Sequence, residues 1–255
     1  LKFFSYFKIY LNCKDFIGEI MLSEHNLRVK YDSDDQDVLE AYQHETNGQY
    51  QEAIDHYHKA LDRNPDLGIV HKHLGNAYYR LGIMDSAVKH LEISASLLPD
   101  FPTVFYELGL AYYRIGSIKK GLKYLAKVIE LDKNFLMAYY WSGILSYHCG
   151  HLNDAHKFFK HVTLKNPKFL VAFFHLGVSC LRLGLYEEAA ESLRNVVANN
   201  PESPSAYALL GDAYLSLDKR FDARFAYNKA LELDPDDIKA KNGLAHLDDF
   251  GETIF

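Results

Sequence analysis

Small and large apolar side chains alternate with polar ones along this chain in a pattern that returns every 34 residues. Counted from Asp34, the eighth position of each unit is small: Ala41, Gly75, Gly109, Gly143, Gly177 and Gly211. The twentieth is small as well, as Ala53, Ala87, Gly121, Ala155, Ala189 and Ala223, whereas the twenty-fourth is large, as Tyr57, Leu91, Leu125, Phe159, Leu193 and Tyr227. Side-chain bulk sets how closely two helices approach, so the small positions predict tight helical hairpins and the large ones fill the space between successive hairpins.

Punctuation falls on the same period. Gly48, Gly82, Gly116, Gly150 and Gly184 stand where a left-handed residue would end the first helix. Pro65, Pro99, Pro167, Pro201 and Pro235 stand where the second helix would stop. The frame predicts six two-helix units over residues 34–237, with Ser33, Asp34 and Asp35 supplying cap oxygens and first-turn charge. Beyond Pro235 one more first helix starts, with Leu244 and Ala245 in register, and no second helix follows. Residues 238–255 therefore read as a capping helix and tail, whose Lys239, Lys241, Asn242 and His246 suit a face turned to water.

Matched unit by unit, this pattern resembles the tetratricopeptide repeat, W-x2-L-G-x2-Y…A-x3-F…P. The resemblance implies an all-α fold, a right-handed superhelical solenoid of antiparallel helix hairpins, acting as a protein-binding scaffold. Departures are local: Lys133 replaces a proline, Asp218 a turn glycine, and Ser146 and Cys180 the tyrosine at position eleven. The Lys133 departure is expected to give a less sharply broken connection.

Residues 1–33 stand outside the repeat. Leu1 to Ile20 reads as a translated leader ahead of a start at Met21. The rival reading is an amphipathic helix of Phe3, Phe4, Phe7 and Leu11, docking on the repeats or peripherally on a membrane.

Composition narrows the function rather than naming it. With 48% hydrophobic and 24% charged residues the chain is ordinary for a globular protein, and 28 basic against 34 acidic residues give no electrostatic reason to expect nucleic acid, which draws a clustered basic surface. No run reaches the ~18 apolar residues of a membrane-spanning helix. Three cysteines, Cys13, Cys149 and Cys180, lack the spacing of a secreted disulfide framework, which points to a reducing, cytoplasmic setting.

Catalytic signals are missing. Among thirteen histidines the densest group is His148, His151, His156 and His161 with Cys149, and its spacing crosses the Gly150 turn and matches no metal-ligand motif. No G-x-S-x-G, phosphate-binding loop or dinucleotide fingerprint occurs. The expectation is a non-enzyme without cofactor or metal, with Cys149 and Cys180 as small packed thiols.

The resemblance places positions two, five, six, nine, twelve and thirteen of each unit on a concave groove. That surface comprises Tyr106, Tyr113, Met137, Tyr140, Trp141, Ile144, Tyr147, Phe174 and Val178, an apolar and aromatic strip of a kind rarely left without a partner. Arg80, Arg114, His148 and Arg182 add a basic edge, and Lys72 and Asn76 a polar entrance. Lys72 and Asn76 match the first clamp positions of family members that hold an acidic chaperone tail, but Glu107, Met137 and Trp141 break that pattern. The expected partner is a protein or peptide with apolar or aromatic anchors and a few carboxylates. Self-assembly into homo-oligomers through the groove is the competing reading.

Overall fold

In a computed structural model, residues 35–249 are described and form thirteen α-helices, which fall into two compact units, residues 35–138 and 139–249. The leader and amphipathic-helix readings of residues 1–33 lie outside the described residues, as do Asp34 and the tail beyond Asp249.

The first unit holds three hairpins: α1 (Gln36–Thr46) with α2 (Tyr50–Arg63), α3 (Gly68–Leu81) with α4 (Met84–Leu97), and α5 (Pro102–Arg114) with α6 (Ile118–Leu131). It also includes the first turn of α7 (Leu136–His148). The second unit holds the rest of α7, then α8 (Leu152–Lys165), the hairpin α9 (Leu170–Leu183) and α10 (Tyr186–Asn199), the hairpin α11 (Pro204–Ser216) and α12 (Arg220–Leu233), and a last helix, α13 (Ile238–Asp249).

Packing follows the period. Every twenty-fourth residue is fully buried, from Tyr57 to Tyr227, and lies against the small eighth residue of its own unit wherever that residue is glycine. A β-carbon at Gly143 would come within 2.7 Å of the Phe159 ring, and one at Gly211 within 2.5 Å of Tyr227, so the first helix touches its partner with its backbone. Burial of one such large side chain is worth about 1.5–3 kcal/mol.

The turns show how local chemistry places each hairpin. Five turn glycines hold φ between +75° and +80°, and Asp218 takes the same left-handed place at +56°. At the other end of the hairpin a device appears that the proline frame does not reveal. Asn64, Asp132, Asn166 and Asp234, just past their second helices, each accept a hydrogen bond through Oδ1 from the backbone N–H two residues on, at 2.8–3.1 Å. Such a side-chain turn competes with the helix for backbone donors and ends it. This corrects the expectation for Lys133: α6 stops at Leu131, and Asp132 makes the break without the proline.

At the end of the second unit, α13 departs from the expected register in an informative way. Ala240, Gly243 and Leu247 are buried, while Ala245 is exposed and Leu244 only partly covered. In the other units a glycine at the eighth position packs on its own second helix; among the described residues no helix follows α13, and Gly243 faces the preceding unit, where a β-carbon would come within 2.2 Å of the Tyr227 ring.

Candidate functional site

The first helices of each unit carry the candidate residues, and helical spacing decides which of them share a face. In the first unit Asn76 and Arg80 are four apart on α3, and Tyr106, Tyr113 and Arg114 lie on α5. Arg80 and Arg114 are exposed, and Asn76, Tyr106, Tyr113 and Met137 partly so. The Arg114 guanidinium sits 4.7 Å from the centre of the Tyr79 ring and donates to the Tyr79 carbonyl at 2.8 Å. Tyr106 packs on Phe135 with ring centres 5.1 Å apart.

Lys72 departs from the expected polar entrance. It is 2% exposed and stands 3.5 Å from Glu107, so its ammonium is held inside the unit by a carboxylate. Glu107, which breaks the clamp pattern, is the residue that holds it.

In the second unit Trp141, Ile144 and Tyr147 recur at three-residue spacing along α7 and are all partly exposed, with exposed His148 beside Tyr147. Val178 and Arg182 lie one turn apart on α9, and the Arg182 guanidinium is 4.9 Å from the centre of the Tyr147 ring. This repeats, one unit pair later, the contact of Arg114 with Tyr79: a position-thirteen arginine covers the position-twelve tyrosine of the preceding first helix. A cation over an aromatic face contributes about 0.5–1 kcal/mol at exposed sites.

Tyr140 and Phe174 were expected on the same surface and are not there: they are 1% and 3% exposed. The Tyr140 ring packs among Phe159, Phe169 and His175, with centres 5.2–6.0 Å away. In the second unit these two position-five residues therefore pack in the interior and support the surface from beneath, whereas Tyr106 at the same position in the first unit stays partly exposed. His175 stacks on Phe159 at 5.4 Å, and burial lowers its pKa to about 4, which keeps it neutral.

Of the histidines around His148, which match no ligand motif in the sequence, His148, His151 and His161 are not among the groups of metal-ligating side chains that converge among the described residues. The groups that do converge are Asp37, Glu40 and His56 in the first unit, and His156, Cys180 and Glu188 in the second. Each draws on more than one helix, so linear spacing could not reveal them. Cys180 is fully buried, and burial pushes its thiol up to about 12. Cys149 lies just past α7 and is only partly buried. A further histidine pair in the first unit joins His71 Nδ1 to His90 Nδ1 at 2.9 Å, with His71 Nε2 donating to the Pro65 carbonyl at 3.0 Å.

Sequence reasoning also missed Phe221 and Phe225, one turn apart on α12 and 85% and 57% exposed. Being aromatic, they look like core residues until the period is applied. Between α11, α12 and α13 lies an open hollow of about 500 Å³, with Leu215, Ile238 and Asn242 on its walls. Among the described residues no helix is long and apolar enough to cross a membrane.

Comparison with known proteins gives the following. Family models of the tetratricopeptide repeat match residues 166–238 and 102–135, and a TPR repeat model matches 46–82. No curated protein matches the sequence. Among solved structures, a crystal structure of YrrB, described as a TPR protein with an unusual peptide-binding site, is similar with a TM-score of 0.69 at 18% identity, over 74% of this chain and 97% of that one. The C-terminal part of a TPR repeat-containing protein from Cytophaga hutchinsonii gives 0.70 at 21% identity, over 82% and 84%. MamA from Desulfovibrio magneticus RS-1 gives 0.62 at 21% identity, over 67% and 97%. At these identities the likeness is one of fold.

Proposed function

Because the chain belongs to the tetratricopeptide repeat family, we propose that it is a non-catalytic protein-interaction scaffold, holding a peptide or helix with apolar and aromatic anchors on its first helices. The observation that carries this reading is the strip on the second unit in which Trp141, Ile144 and Tyr147 are partly exposed in line and Arg182 covers Tyr147. Aromatic and arginine side chains dominate the energy of protein interfaces, and here both stand on rigid helices that need no ordering on binding. Val178 widens the apolar floor, and His148 and Arg182 supply edge donors for a ligand carboxylate. The peptide-binding description of YrrB supports the same class of activity for this fold. Tyr140 and Phe174 serve as buried supports and drop out of the contact set. In the first unit, Asn76, Arg80, Tyr106, Tyr113 and Arg114 form the corresponding surface, with Lys72 beneath it.

The test is an array of short peptides that pair two aromatic or leucine anchors, three or four residues apart, with one acidic residue. Binders are then titrated in solution while the emission of Trp141, the chain's single tryptophan, is followed. A shift in emission and a loss of about 2 kcal/mol, roughly thirty-fold in affinity, in Trp141→Ala are expected. Unchanged affinity in a Trp141→Ala, Tyr147→Ala double variant would sink the reading.

Self-association is the second reading, favoured by exposed Phe221 and Phe225. It predicts light scattering that grows with concentration and is abolished by Phe221→Asp.

A further inference from the structure

At position eleven of the repeat a tyrosine normally reaches the neighbouring second helix. Tyr78 places its hydroxyl 2.9 Å from His58 Nε2, and Tyr112 donates to Glu92, in each case to the second helix of the preceding unit. At the same position in the second compact unit stands Cys180, whose shorter, fully buried side chain brings a thiol there instead. Around it converge His156 from α8 and Glu188 from α10, and the sulfur, nitrogen and oxygen atoms of the three residues all lie within 4.8 Å of one another. His156 Nε2 is 3.0 Å from Glu188 Oε2, and Lys160 Nζ holds the other carboxylate oxygen at 2.9 Å.

We propose that Cys180, His156 and Glu188 form a binding site for a divalent transition metal, with zinc as the fitting ion. The donor set is one thiolate, one imidazole and one carboxylate, the mixture that zinc accepts with borderline softness. Bonds of about 2.0–2.3 Å in a tetrahedral arrangement leave donor atoms about 3.3–3.7 Å apart, so side-chain shifts on the order of 1 Å close the site. Three protein donors leave the fourth position to water. Lys160 fixes the carboxylate by its outer oxygen, as a supporting residue around a metal does. The helices that carry the donors are held by the core of this unit, so the ligands arrive preorganised.

Binding balances as follows. The Cys180 S–H bond breaks, its electron pair forms the metal–sulfur bond, and the proton leaves to buffer. Before binding, His156 carries its proton on Nε2, donated to Glu188 Oε2. On binding that N–H bond breaks and a proton is taken up at Nδ1 through solvent, so the neutral imidazole coordinates through the freed Nε2 lone pair with no net proton change, and ionised Glu188 gives up its contact with His156 to coordinate through Oε2. One proton is released for each metal bound.

The experiment uses the full chain, stripped with chelator, and titrates it with Zn2+ by calorimetry in two buffers of different ionisation enthalpy. Co2+ is titrated in parallel and followed by absorption. The expected results are one tight Zn2+ per chain, about one proton released, and a thiolate-to-cobalt charge-transfer band. Cys180→Ser abolishes the band and weakens zinc at least about a hundred-fold, while Glu188→Gln weakens it roughly ten- to a hundred-fold. Both variants are checked for an unchanged helical melt; Glu188, on the rim, serves if the buried serine disturbs folding. His56→Gln, which removes the only histidine of the other acidic cluster, leaves zinc binding as it was. A cobalt complex without a thiolate band, or zinc affinity unchanged in Glu188→Gln, overturns the proposal.

Discussion

Replacing Gly211 with alanine should destabilise the protein, although alanine is the better helix former. An added β-carbon would sit 2.5 Å from Cδ1 and Cε1 of Tyr227 and 2.9 Å from Cζ, where ordinary contact begins at 3.4 Å. The ring would have to move by about 1 Å, and it is hemmed in: Gly243 also closes on it, so that a β-carbon there would come within 2.2 Å of Cζ, and its hydroxyl donates to Asp212 Oδ1 at 2.8 Å. Overpacking of this kind costs about 1–3 kcal/mol, and a strained Tyr227–Asp212 hydrogen bond about 1 kcal/mol more. Alanine returns about 1 kcal/mol of helix propensity, so the net loss is about 1–3 kcal/mol. Gly109→Ala is the control. Its β-carbon meets Leu125 at 3.1 and 3.2 Å and the Gly121 carbonyl oxygen at 3.3 Å, a shift of a few tenths of an ångström suffices for each, and the propensity gain leaves it close to neutral. Urea unfolding followed by far-UV circular dichroism, compared at constant m, reads both. In a Tyr227→Leu background the cost of Gly211→Ala should shrink, which a double-mutant cycle measures. If Gly211→Ala is as stable as Gly109→Ala, the close-packing account of the hairpin is wrong.

Two further predictions follow from the turns and the histidines. His71 and His90 both titrate below the ordinary histidine value, mainly through burial, with His90 lowered to about 4 and disfavoured further by His71, His58 and Lys89, while Asp66 pulls the other way on His71. The unfolded chain therefore binds more protons between pH 6.5 and about 4, and stability should fall as pH drops through that window; the urea midpoint should decrease from pH 7 to pH 5, and His90→Asn should lessen that decrease. An equal pH response in wild type and His90→Asn would refute it. At the left-handed turn residue Asp218, valine should cost about 1–2 kcal/mol while glycine stays within about 0.5 kcal/mol of wild type, and equal melting temperatures for the two variants would contradict the assignment.

The helical hairpins were legible in the sequence because their determinants are local and repeated. Gly75, Ala87 and Leu91 announce a close helix pair by size alone, and Gly82 announces its turn. What could not be read was anything set by contacts between units. Tyr140 and Phe174 share their residue types with surface aromatics, and only the packing of Phe159, Phe169 and His175 around Tyr140 shows that it is interior. Lys72 looked like a surface cation because its partner, Glu107, is a full unit away. Cys180 was visible as a departure from the pattern, but the approach of His156 and Glu188 depends on three helices folding together. Ala245 fitted the repeat in register and differed in environment: it is exposed, and Gly243 takes the close contact with Tyr227.

The side-chain turns at Asn64, Asp132, Asn166 and Asp234 change how tolerant the chain should be to sequence drift. At Pro65, Pro167 and Pro235 the second helix is fastened twice, by a carboxamide or carboxylate that captures a backbone donor and by a ring that cannot donate. At Lys133 the second fastening is gone and the helix still ends in place. Joints with a spare lock let a lineage alter one residue without losing its stride, so variation can accumulate on the faces that meet partners while the 34-residue step stays unchanged.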